Sequence, residues 1–193
     1  MDPYREKPKR FKDFKESNDD KYDQLLRERH NEEMALAEKS DRAFITSTED
    51  VVKLVQECES SNLDVAYQAV FNFLLHLCTK QELYLDNFLE LHIVDILVHH
   101  LVNCEITDVK YNVACALTNI ASGDSRHTSF LLEESVIAAL SSLLCDTNIC
   151  LVEQSIWALS NIIGDGPEAR NFVLRSNILS ALYQLLNLHY KSV

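Results

Sequence analysis

The chain has 193 residues, 47% of them apolar, which is enough for one domain with a sizeable core plus an appendage. Three glycines and three prolines leave little material for tight hairpins or phosphate-cradling loops, which argues against an all-β fold, a P-loop enzyme and a dinucleotide-binding fold. A formal net charge of -12 disfavours nucleic acid and anionic lipid as partners, since both are bound by neutralising phosphates with Lys and Arg, and points to a basic partner.

Charge divides unevenly along the chain. Residues 1–43 hold eleven of the eighteen Lys and Arg against twelve carboxylates, and residues 44–193 hold seven bases against eighteen acids. The first segment is polar and poor in core-forming residues, which predicts a flexible arm with one helix near 23–39 and a boundary near residue 44. Its start, MDPYREKPKRFKDFK, lacks the apolar stretch of a secretory leader. The most hydrophobic later run, LHIVDILVHHLV, is broken by Asp95 and three histidines, so no membrane partner is expected and the chain is placed in cytoplasm and nucleus. Six cysteines (Cys58, Cys78, Cys104, Cys115, Cys145, Cys150) lie in apolar stretches without a C-x-x-C pair and read as buried, reduced thiols.

Beyond the boundary the sequence repeats. Phe88, Phe130 and Phe172 lie 42 residues apart and each precedes a similar apolar run, and the same 42 separates Asn119 from Asn161 and Leu117 from Leu159. A helical period of about 40–47 residues is the mark of an armadillo or HEAT solenoid. Each unit parses into three helices: a short one starting near Ser125 or Glu168, a second near 136–144 or 178–186, and a third over 109–120 or 150–163. Pro167 suits a helix start. One period earlier, 63–77 is another third helix, led by a helix over 48–58. The fold class is therefore all-α, an armadillo-type right-handed superhelical solenoid of about three repeats behind a flexible N-terminal arm.

In LVEQSIWALSNIIGDG, at ~100° per residue, Val152, Ile156, Leu159 and Ile163 fall on one stripe and are expected to face the core. Gln154, Trp157 and Asn161 fall on a second stripe. Two placements fit them. Trp157 packs between repeats with Asn161 capping a turn, or the stripe forms a ledge where Trp stacks a long alkyl stem, Asn bonds an extended peptide and Asp165 takes an ammonium.

The segments ACALTNIASGDS (114–125) and EQSIWALSNIIGDGPEARN (153–171) resemble the second and third armadillo repeats of importin alpha, the adaptor family that binds nuclear localisation signals. STEDVVKLVQECESSNLDVAYQAV looks like the start of that family's first repeat, and the arm is similar in layout to its importin-beta-binding segment. The resemblance implies that 44–193 holds armadillo repeats 1–3. It implies a groove that binds Lys/Arg-rich cargo signals through Asn119, Ser122, Gly123, Thr128, Gln154, Trp157, Asn161 and Asp165, with Gly123, Thr128 and Asp165 forming a lysine pocket. It implies an importin-beta-binding-like arm carrying Lys9, Arg10, Lys12, Lys15, Arg27 and Arg29, in which KPKRFK competes for the groove in cis.

Departures from the family pattern modify these expectations. Cys115 stands where the family has a second Trp, so one wall of the lysine sandwich is missing. Glu28, Glu32, Glu33 and Glu38 dilute the arm, so importin-beta binding is expected to be weak. The Gly and Pro that open the family's second helices are replaced by His92 and Asp95, by Ser135 and Ala138, and by Asn177 and Ser180.

Other chemistry is thin. His99, His100 and Cys104 could share a helix face and bind zinc, but no fourth ligand is evident and a bland helix surface is the simpler reading. Glu133 and Glu134 read as a solvated face. No hydrolase or metalloprotease motif appears, so neither an enzyme, a metal nor a cofactor is expected. The alternative to a cargo adaptor is an armadillo scaffold without cargo binding, self-associating through the apolar helix at 177–188.

Overall fold

The computed structural model describes residues 45–79 and 84–190; the arm and its basic residues lie outside that range. Ser47 opens the first helix with a capping box, its Oγ accepting from the Asp50 amide at 3.2 Å while the Asp50 carboxylate accepts from the Ser47 amide at 3.0 Å. Among the described residues there are ten helices and no strand. They are α1 (Thr48–Cys58), α2 (Leu63–Thr79), α3 (Leu85–Glu90), α4 (Ile93–Asn103), α5 (Thr107–Ala121), α6 (Ser125–Ser129), α7 (Glu134–Leu143), α8 (Ile149–Gly164), α9 (Pro167–Arg175) and α10 (Ile178–Tyr190). Asp124 caps α6 and Asn148 caps α8 through side-chain oxygens, and Pro167 takes the first turn of α9, where its missing N–H costs nothing.

Two helices begin differently. Tyr84 and His92 precede α3 and α4 in the left-handed conformation, with φ of 61° and 58° and no side-chain cap. His92 thus adopts a backbone suited to the glycine that the importin alpha pattern places there.

Two complete three-helix units, α3–α5 and α6–α8, are preceded by the pair α1–α2 and followed by the pair α9–α10. The long helices α2, α5 and α8 lie side by side, α4 packs against both α5 and α7, and α7 packs against α8 and α10. The 42-residue period is a burial period. Leu89, Leu131 and Val173 are all buried, as are Val94, Val136 and Ile178, and Leu75, Leu117 and Leu159. The phenylalanines that reveal the period in the sequence do not share an environment: Phe88 is fully buried, Phe172 half-buried and Phe130 exposed.

Polar contacts between units span close to one period as well. His100 Nε2 lies 2.8 Å from the Cys58 carbonyl, 42 residues away, and Ser125 Oγ donates to Asp165 Oδ1, 40 residues on. Neighbours in space are thus neighbours in repeat number, as in a quasi-one-dimensional stack.

The cysteines depart from expectation. Cys58 and Cys104 are buried, and burial pushes the Cys58 thiol up to about 12. Cys145 is exposed, its Sγ 3.4 Å from Gln184 Oε1, because it lies beyond the end of α7 rather than on the face that packs against α8.

Candidate functional site

Helix α8 is buried on two sides, through Leu151, Val152, Ser155, Ala158, Leu159 and Ile162, and also through Gln154 and Asn161. Gln154 Nε2 donates to Thr118 Oγ1 at 2.7 Å and Asn161 Nδ2 to the Thr118 carbonyl at 3.4 Å. The two amides, seven residues apart and hence on one face, fasten α8 to α5 through Thr118. Ser155 fastens the other side through an Oγ bond to the Leu140 carbonyl of α7.

This placement corrects the helical-wheel reading. Gln154 and Asn161 are buried in the seam between third helices, and Ile156, expected in the core, is 39% exposed. Its counterpart one period back, Ala114, is fully buried, and the Thr118 that corresponds to exposed Ser160 is buried. The flank of α5 that carries Ala114 and Thr118 is covered by α8, and the same flank of α8 lies open. Trp157 is half-buried between the two flanks, with exposed Glu153 one turn away.

On α5 the matching open stripe comprises Tyr111, Cys115, Asn119 and Ser122, all half-buried. Asn119 Nδ2 donates to the Cys115 carbonyl at 3.1 Å and approaches Cys78 Sγ of α2 at 3.9 Å, and Ser122 Oγ donates to the Asn119 carbonyl at 2.8 Å. Gly123 ends this stripe. Asp165, at the end of α8, accepts from Ser125 Oγ at 3.0 Å. Thr128 is fully buried, its hydroxyl donating to the Asp124 carbonyl at 3.1 Å, which takes it out of the accessible groove wall.

The arrangement is a half-buried face on the adjacent helices α5 and α8, bearing one Trp, a carboxamide, a hydroxyl and a carboxylate. It can stack an alkyl stem, bond a backbone and accept from an ammonium. Among the described residues no group of three His, Cys, Asp or Glu side chains could hold a metal; of the zinc candidates, His100 is buried with its Nε2 engaged by the Cys58 carbonyl, Cys104 is buried, and His99 is exposed with its ring 5.9 Å from that of His100. His100 is therefore part of the stack rather than bland helix surface. No described helix is long and apolar enough to cross a membrane. Glu133 and Glu134 are exposed.

No family model matches the chain. Over 143 residues it is 31% identical to importin subunit alpha-1b of Oryza sativa subsp. japonica, covering 74% of this chain and 27% of that relative. It is 34% identical over 138 residues to the probable importin subunit alpha-A of Dictyostelium discoideum, covering 71% and 24%. The chain is a divergent importin alpha-like armadillo protein.

A designed armadillo repeat protein solved in complex with the peptide (KR)4 shares the fold, with a TM-score of 0.63 at 20% identity over 88% of this chain and 71% of that one. The importin alpha-like chain spans about a quarter of the length of the curated relatives it matches. Thr118 and Ser155 were missed by sequence reasoning. The spacing of 36 between Thr118 and Gln154 is shorter than the repeat and hides the pair from a search at 42.

Proposed function

We propose that this importin alpha-like chain binds extended Lys/Arg-rich segments of the nuclear-localisation-signal class on the open face of α2, α5 and α8, as an adaptor in nuclear import. The observation that carries the reading is Trp157, half-buried on α8 one period after Cys115 of the half-buried stripe of α5, the helix against which α8 packs. Asn119, Ser122, Gly123, Trp157 and Asp165 are its half-buried members, whereas Gln154 and Asn161 are buried against Thr118 and Thr128 is buried on Asp124. Acidic excess and relatives named as importin alpha subunits support the same partner chemistry. With Cys115 opposite Trp157's position in the preceding unit, one stacking wall is absent and affinity is lower by about 1 kcal/mol. Weak importin-beta contact through Lys9, Arg10, Lys12, Lys15, Arg27 and Arg29, and residence in cytoplasm and nucleus, belong to the same proposal.

The single tryptophan provides the test. Adding a Lys-Lys-Lys-Arg-Lys peptide at low salt is expected to change Trp157 emission saturably, with affinity falling as salt rises. A folded chain whose emission does not respond ends this reading. A second reading, a scaffold acting through protein contacts, is favoured by α10, where Leu179, Tyr183 and Leu186 are 60, 69 and 60% exposed on one stripe. It predicts self-association in sedimentation that glutamates at Leu179 and Leu186 abolish.

A further inference from the structure

His127 is 7% exposed, on the third residue of α6. A peptide groove has no need of an imidazole there. Its Nε2 lies 3.1 Å from Asp86 Oδ1, on α3 of the preceding unit, and its Nδ1 lies 3.4 Å from Asp124 Oδ1, at the cap of its own helix. The His127 amide donates to the same Asp124 oxygen at 2.9 Å. Arg126 also donates to the Asp86 carboxylate, so the charged groups facing the ring are Asp86 and Asp124, with Arg126 sharing Asp86. Both carboxyls are held below the usual range, Asp86 foremost by the Arg126 hydrogen bond and Asp124 by the His127 backbone amide.

The ring also touches the groove. A Cβ placed on Gly123 would come within 2.6 Å of His127 Nδ1 and 3.0 Å of the Ile120 carbonyl. Since Gly123 does not have positive φ, space rather than backbone freedom requires a glycine there. Two residues on, Ser125 Oγ reaches Asp165. Residues 122–125 are therefore held from one side by the His127–Asp86 contact and from the other by Asp165.

We propose that His127 is a positioning residue for the acidic edge of the groove: through Asp86 it fixes the 122–125 segment, and it does so most firmly as the imidazolium. This rests on the peptide-binding reading above. A neutral imidazole has one N–H and must turn a lone pair toward one of two carboxylates, whereas the protonated ring keeps its Nε2–H on Asp86 and sets its positive charge 3.4 Å from Asp124 Oδ1, an ion pair without a hydrogen bond. The segment is thus better ordered, and a basic peptide better held, when His127 carries its proton. The clamp does not recur in the next unit. One period on, Arg126 is replaced by Glu168, His127 by Ala169 and Asp86 by Thr128.

The test uses the full chain, Trp157 emission and the Lys-Lys-Lys-Arg-Lys peptide, with His127→Gln keeping a donor for Asp86 without the charge. The wild type is expected to lose affinity about fivefold as rising pH removes the charge of the ring, and His127→Gln to stay flat at the weaker value. A His127→Gln variant that retains the wild-type pH profile overturns the proposal. Amide exchange of 122–125 at a single pH of about 6 is read in parallel, with faster exchange expected in the variant. That second measurement stands whether or not the peptide binds. Unresponsive Trp157 with slowed exchange in the wild type alone would end the peptide reading and keep the clamp, and equal exchange in both proteins would end the clamp.

Discussion

Thr118 receives two amides from the neighbouring unit, Gln154 on its hydroxyl at 2.7 Å and Asn161 on its carbonyl at 3.4 Å. Thr118→Val keeps the shape and removes the acceptor, leaving the buried Gln154 amide without its 2.7 Å partner. The expected cost is about 1–3 kcal/mol, read as a lower urea midpoint at unchanged slope. Asp86 makes a different kind of contribution. Its carboxyl titrates below the unfolded value, so its stabilisation is present at neutral pH and is lost as pH falls through the folded value. Asp86→Asn is therefore expected to melt below the wild type at pH 7, and the gap between the two to close below about pH 4. Thermal melts across pH check this, and a gap that stays constant would contradict it.

Among elements, α4 starts from His92 at φ 58°, a left-handed backbone on an exposed residue whose ring only approaches Asp95 at 3.5 Å. Relief of that strain outweighs the entropy cost of glycine, so His92→Gly is expected to stabilise the chain by about 0.5–1 kcal/mol in urea unfolding. The sequence departure that marks divergence from importin alpha is thus a measurable weak point. Helix positions themselves were legible: 63–77, 109–120 and 150–163 lie within α2, α5 and α8 because the same buried positions recur every 42 residues. The neighbours of each stripe were not legible. A helical wheel gives angles about one axis, and only the stack decides that Gln154 and Asn161 meet α5 and that Ile156 meets solvent. The His127 clamp escaped for a related reason, since it does not recur in the next unit and leaves no period to find.

For the whole molecule, the basic residues of 1–43 are covalently linked to an acidic solenoid. The KPKRFK run lies outside the described residues, and as a tethered basic peptide it would act at an effective concentration on the order of mM. Deleting residues 1–43 is expected to raise affinity for added peptide, measured by Trp157 emission. Unchanged affinity would make the arm a spacer.

The side-by-side packing of α2, α5 and α8 also works as a ruler. Packed helix axes stand about 8–10 Å apart, and an extended chain advances about 3.3 Å per residue, so each step from one third helix to the next matches about three peptide residues. Two steps then accommodate about six residues. Affinity is expected to climb with peptide length most steeply up to that number, the length that spans α2, α5 and α8. Titrations with a graded series of Lys/Arg peptides measure the break point, and a steady gain past ten or so residues would show that contacts outside these three helices hold the ligand.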